Sequence, residues 1–97
     1  MKYRITHIDD SNGWIFISAE NSFVESTLFV ELLESIATCV GGKIFSVGEI
    51  QYKISNMPYD LTFQWDDLFG IVVLNENKEA TTDILNFFKD QGIMFIL

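Results

Sequence analysis

The chain has 97 residues carrying 14 Asp+Glu against 6 Lys+Arg, a formal net charge of −8, yet it is 48% hydrophobic with nine Phe, three Tyr and two Trp. That length holds one domain and one core, spanning residues 1–97, and the apolar content separates it from disordered acidic tails. The negative balance argues against direct binding to nucleic acid or to anionic membrane surfaces and selects small basic proteins as complementary partners.

Residues Tyr3 to Ile8 alternate Tyr3, Ile5, His7 against Arg4, Thr6, Ile8, and Trp14 to Ala19 alternate in the same way. Both read as strands, and Asp9-Asp10-Ser11-Asn12-Gly13 between them is a concentrated turn signal, so the chain opens with a β-hairpin. Ser22-Phe23-Val24-Glu25 matches a capping box, in which hydroxyl and carboxylate satisfy the orphaned amides of a helix start. The apolar positions Val24, Leu28, Phe29, Leu32, Leu33, Ile36, Ala37 and Val40 recur at three- and four-residue steps, and Gly41-Gly42 supplies a left-handed stop. A helix is expected over about residues 22 to 40, with Thr27, Glu31, Glu34 and Thr38 together on its polar, anionic face.

Lys43 to Val47, Glu49 to Ser55, Leu61 to Trp65 and Phe69 to Leu74 are rich in β-branched and aromatic residues and are separated by turn residues. Gly48 reads as a bulge or bend within one longer strand, Pro58 marks a turn over 56–60, and Asp66-Asp67 with Gly70 makes a tight connection. Asn77 is a plausible cap for a second helix with the apolar stripe Ala80, Ile84, Phe87 and Phe88, ended by Gly92. The uninterrupted apolar run Ile93 to Leu97 suits a final strand, buried on both faces or under a helix. The expected order is ββ-α-βββ-α-β, an α+β domain whose mostly antiparallel sheet is covered by two helices.

Catalytic equipment is not expected. His7, the single histidine, lies two residues before Asp9 but has no companion nucleophile. Asp9, Asp10, Asp60, Asp66 and Asp67 could gather at one end of the sheet to hold a hard cation, yet no loop has EF-hand spacing and aspartates serve turns for their own reasons. Gly41-Gly42-Lys43 ends a helix instead of opening one, so it is a cap and not a phosphate loop. Cys39 lies within the apolar helical pattern and is expected to be a small buried hydrophobe with no redox role. No cofactor and no metal follow. A single cysteine, the absence of an apolar signal core after Met1 and of any apolar run near the ~18 residues needed to span a bilayer point to a reducing cytoplasm.

The segment Gln64-Trp65-Asp66-Asp67-Leu68-Phe69-Gly70 sets large aromatics beside carboxylates at a loop edge, and Trp14 beside Asp9-Asp10 repeats the combination. Interfaces concentrate energy in aromatic anchors while charge governs encounter. In size, acidity and these aromatic-carboxylate loops the chain resembles bacterial immunity proteins of contact-dependent growth inhibition and related polymorphic toxin systems. The resemblance implies a non-enzymatic α+β protein that binds the C-terminal effector domain of a toxin, commonly a basic nuclease, and occludes it. Asp9, Asp10, Glu31, Glu34, Asp66 and Asp67 would supply charge, and Trp14, Trp65 and Phe69 the contact area. The alternative is an adaptor or structural module that forms a homodimer or larger oligomer through a strand edge such as Ile93 to Leu97.

Overall fold

Apolar and polar residues alternating at period two, interrupted by turn residues, build a six-stranded antiparallel sheet, and two stretches with helical periodicity pack on it. The structure is a computed structural model in which residues 3–9, 11–19, 26–66 and 70–92 are described. The elements are β1 (Tyr3–Asp9), β2 (Trp14–Ala19), α1 (Ser26–Val40), β3 (Ile44–Ser46), β4 (Gln51–Ile54), β5 (Leu61–Asp66), β6 (Gly70–Asn75), a 3₁₀ turn (Lys78–Ala80) and α2 (Thr81–Asp90). The expected α+β class and the hairpin, helix, strand meander and second helix are all present. The capping box over 22–25 and the terminal run 93–97 lie outside the described residues.

The sheet order is β1-β2-β6-β5-β4-β3. After the hairpin, α1 carries the chain from the second strand position to the far edge, and β3 to β6 then walk back until β6 pairs with β2. The lengths agree: four strand spacings are about 19 Å, and the 15 residues of α1 rise about 22 Å. Gly48 lies in the loop joining β3 to β4, so the bend read there opens into a hairpin of two short strands.

Register fixes the two faces. Ile17, Ile71 and Trp65 are aligned across β2, β6 and β5, and Ile15, Val73, Phe63 and Tyr52 across β2, β6, β5 and β4. These residues face the helices, and Ile15, Ile17, Phe63, Ile71 and Val73 are fully buried. From α1 come Phe29, Leu32, Leu33, Ile36 and Ala37, and from α2 Ile84 and Phe88, forming one cluster with the sheet. The opposite face carries His7, Phe16, Val72, Gln64 and Gln51 in one row, and Trp14, Leu74, Thr62, Lys53 and Phe45 in the next. Both described helices contribute to the first face. Among the described residues, no helix is long and apolar enough to cross a membrane.

Side-chain and glycine chemistry fastens the connections. Asn75, buried at the end of β6, donates to the carbonyl of Asn77 and accepts from its N–H, and Asn77 Oδ1 in turn accepts from the N–H of Glu79. The expected Asn77 cap therefore acts on the 3₁₀ turn that leads into α2. At the end of α1, Gly41 takes a left-handed φ of 67°, and the N–H of Gly42 bonds to the carbonyl of Ala37 at 2.9 Å, the wrapping pattern that satisfies last-turn carbonyls. The Asn56 amide donates to the carbonyl of Val40, tying the β4–β5 turn to the same helix end.

The two adjacent glycines serve different ends. A Cβ on Gly41 would meet open space, whereas one on Gly42 would overlap the backbone carbonyl of Ser55. Gly41→Ala should cost about 1 kcal/mol through backbone strain alone. Gly42→Ala should cost distinctly more, about 1–3 kcal/mol of overpacking against rigid backbone. Urea denaturation of the two variants checks the ranking, and equal costs would contradict the close-approach account.

Candidate interaction surface

The apolar face of α1 and the edge of the sheet do not close on one another completely. Trp65 packs its ring against Phe29 with centroids 6.1 Å apart, and Tyr52 meets the same phenylalanine edge-on at 5.8 Å. These three aromatics floor a groove of about 290 Å³ whose walls are Val30 and Leu33 from α1 and Ile44, Glu49 and Ile50 from the β3–β4 hairpin. Side chains at this edge of the sheet are unusually exposed for their type: Val30 at 48%, Ile50 at 45% and Ile44 at 36% beside the groove, and Phe45 at 46% and Val47 at 45% next to them in chain order. Among the described residues, five of the six large exposed hydrophobics thus gather at this edge, Trp14 being the sixth. A concentrated apolar patch of this kind marks an interaction surface where scattered exposed residues do not.

Carboxylates border the patch. Glu49 lines the groove, Glu34 lies one helical turn from Val30 on the same side of α1, and Glu31 is exposed on the outward face of that helix. Lys53, the basic residue opposite Phe45 in the ladder, forms an ion pair with Asp60.

The residues singled out from the sequence divide into two places. Trp65, half-buried, floors the groove, with Glu31 and Glu34 on the helix above it. Asp9 and Trp14 are paired with each other across β1 and β2 on the opposite face of the sheet. They lie at the end where β6 finishes, whereas Asp66 pairs with Gly70 where β6 begins. Trp14 is 40% exposed and packs edge-on against Phe16. Asp10, Asp67 and Phe69 are outside the described residues, as is the self-association edge expected over 93–97. The described aspartates singled out from the sequence are split between the two ends: Asp9 and Asp60 belong to one end of the sheet and Asp66 to the other. Among the described residues, no group of three His, Cys, Asp or Glu is placed to hold a metal ion.

Two single residues are also clarified. Cys39 is exposed and not a buried hydrophobe. It falls at the margin of the apolar arc of α1, where its Sγ reaches the carbonyl of Gln91 at 3.6 Å. His7 is exposed and rests against Phe16 with ring centroids 5.6 Å apart.

Sequence reasoning missed Val30, Ile44, Phe45, Val47 and Ile50 as surface residues. A signal existed. Val30 stands off the buried stripe of α1, and Val47 and Ile50 flank Gly48-Glu49 in a hairpin loop, where polar residues are the rule.

Asp9 illustrates a carboxylate committed to its own turn. Its Oδ1 accepts from the N–H of Ser11 at 3.0 Å, and its Oδ2 accepts from the Asn12 side-chain amide at 2.9 Å. The Asn12 side chain is the main cause holding Asp9 below the usual carboxylate range; slight desolvation opposes it, while the N–H groups of Asn12 and Ser11 and nearby His7 assist. A carboxylate lowered on folding contributes stability above its unfolded pKa, and that contribution is lost as pH falls through the folded pKa. Asn12→Ala should therefore move the Asp9 titration upward in a carboxyl-detected NMR pH series, and the hairpin should loosen at a higher pH than in the parent. An unchanged Asp9 titration would remove Asn12 as the cause. Compared with protein-family models, with curated proteins and with solved structures, the chain matches none.

Proposed function

We propose that this chain is a small non-catalytic inhibitor of the immunity-protein type, which binds the effector domain of a toxin, a basic nuclease being the best fit, and occludes its substrate cleft in the cytoplasm. The observation that carries this reading is the apolar groove between α1 and the β3–β4 edge, lined by Glu49, with Glu34 one helical turn from Val30 and Glu31 on the outward helix face, on a chain of net charge −8. A cleft built to attract phosphates also attracts carboxylates, and such steering raises association rates by about 10- to 10³-fold at low ionic strength. Charge alone gives short-lived encounters. Trp65, Tyr52 and the exposed aliphatics around them offer desolvated contact area, the component that slows dissociation. Asp9, Trp14 and Asp66 lie away from the groove, so in this reading they add to the long-range field and Trp65 is the anchor.

The test begins with tagged protein passed over extract of its native host, washed at low and then high salt, and continues with the recovered partner. A basic effector that arrests growth when expressed alone, and is relieved by co-expression of this chain, is the expected result. With that partner in hand, the double variant Glu34→Lys, Glu49→Lys should slow association by about tenfold at low salt and much less at high salt, with little change in dissociation. A recovered partner that is acidic, or one whose effect on growth this chain leaves untouched, would overturn the proposal.

A further inference from the structure

Building on that reading of the groove, we propose that β3 is an acceptor strand: the basic partner presents an extended segment that adds to the sheet at this edge, its apolar side chains entering the groove and its lysines or arginines meeting the carboxylates beside it. Hydrogen-bond direction provides the first argument. Antiparallel ladders alternate between pairs that exchange both backbone bonds and pairs that exchange none. The N–H of Val47 bonds to the carbonyl of Gln51, and the N–H of Ser55 to the carbonyl of Lys43. Lys43, Phe45 and Val47 therefore turn their backbone groups toward β4, and Ile44 and Ser46 turn theirs outward. Among the described residues β3 is the last strand of the sheet, so these outward groups face no further described strand. Ser46 Oγ is occupied with the carbonyl of Gly48 at 2.8 Å and does not compete for them.

An open edge that is also apolar is what natural sheets avoid unless it is used. The contrast with the other edge is direct. β1 carries a register shift between Ile5 and His7, a bulge that discourages pairing. β3 has no bulge, proline or internal charge, and all three of its residues are exposed. Strand addition draws affinity from main-chain bonds and specificity from alternate side chains. Here the pleat directs those alternate positions usefully: Ile44 shares the helix-facing side with its partner Ile54, while Phe45 shares the outer side with Lys53. A strand laid along Ile44 and Ser46 would put every second side chain beside Ile44, Val30 and Leu33. At about 290 Å³ the groove is at the lower limit of the roughly 300–1,000 Å³ typical of small-molecule sites, a size suited to a few aliphatic side chains.

Charge selects the occupant. A second copy of the chain would bring another net −8 against Glu49 and Glu34, whereas a basic strand meets attraction at the same points. The one cation opposite Phe45 is already paired with Asp60 and does not repel an incoming lysine.

The probe is a synthetic ten-residue peptide alternating leucine with lysine, closed by proline at both ends, titrated into ¹⁵N-labelled protein. Expected are shifts confined to the β3–β4 edge and at least about tenfold slower exchange of the Ile44 and Ser46 amides. N-methylation of one alternate set of peptide amides should abolish binding and N-methylation of the other set should spare it, since only one set faces β3. Exchanging lysine for glutamate should weaken binding by about tenfold or more. Ser46→Pro, which removes an outward N–H and no bond to β4, should lose the peptide while keeping the parent's far-UV spectrum. Equal binding of both methylated peptides, binding without protection of these amides, no binding at all, or protection that rises with protein concentration in the absence of peptide would each overturn the proposal, the last by identifying a second copy as the occupant. An effector that is captured and neutralised while these two amides stay unprotected removes the acceptor strand and leaves the inhibitor reading. Peptide addition at β3 with no effector in the host does the reverse.

Discussion

The crossing of α1 over the sheet is the constraint from which the remaining architecture follows. A 15-residue helix entered from the second strand position cannot return the chain beside β2. It delivers the chain to the far edge, and only there do Gly41 and Gly42 release it into β3. The close approach of Gly42 to the Ser55 carbonyl sets how near the helix end lies to the outer hairpin. The meander must then fold inward, so its last strand meets β2 and its first stands at the edge of the sheet among the described residues. The groove is the residue of that geometry: a helix that spans the sheet overhangs its edge, and a three-residue edge strand is too short to fill the space beneath Val30 and Leu33.

Much of the fold was legible because its signals are local. The first hairpin is announced by alternation on either side of an Asp-, Asn- and Gly-rich turn, and the stop of α1 by two glycines, each of which has a separate physical task. Strand order was not legible, since nothing near Ile15 states that Val73 will be its neighbour. That pairing depends on where α1 ends its crossing. The same reason divided the candidate site. Trp14 and Trp65 were each correctly placed in a strand, but the face each takes relative to the other depends on register summed across β2, β6 and β5. Glu31 and Glu34 emerged from helical period alone and do occupy an exposed helix face. The groove escaped notice because it joins Val30 to a hairpin that is distant in sequence, and periodicity within one element cannot report contact between two.

Charge and apolar surface divide their work across this molecule. The acidic residues are distributed over turns, the helix face and strand ends, and several are engaged locally, as Asp9 is with its own turn and Asp60 with Lys53. Such a field acts at a distance and has little directional content. Among the described residues, the large exposed hydrophobics other than Trp14 gather at one edge. In the proposed complex, orientation of the partner comes from the groove and the strand beside it, with the surrounding carboxylates setting which partners approach.

The opposed placement of the two tryptophans gives the protein two independent optical reporters. Trp65 is half-buried on the helix side beneath the groove, and Trp14 is exposed on the opposite side next to Phe16. Emission from Trp65 alone, with Trp14 replaced by phenylalanine, responds to what enters the groove, while emission from Trp14 alone follows quenchers arriving from solvent across the other face. One sheet thus separates two fluorescence signals by its own thickness, and an encounter at either surface can be assigned to a side without attaching any label.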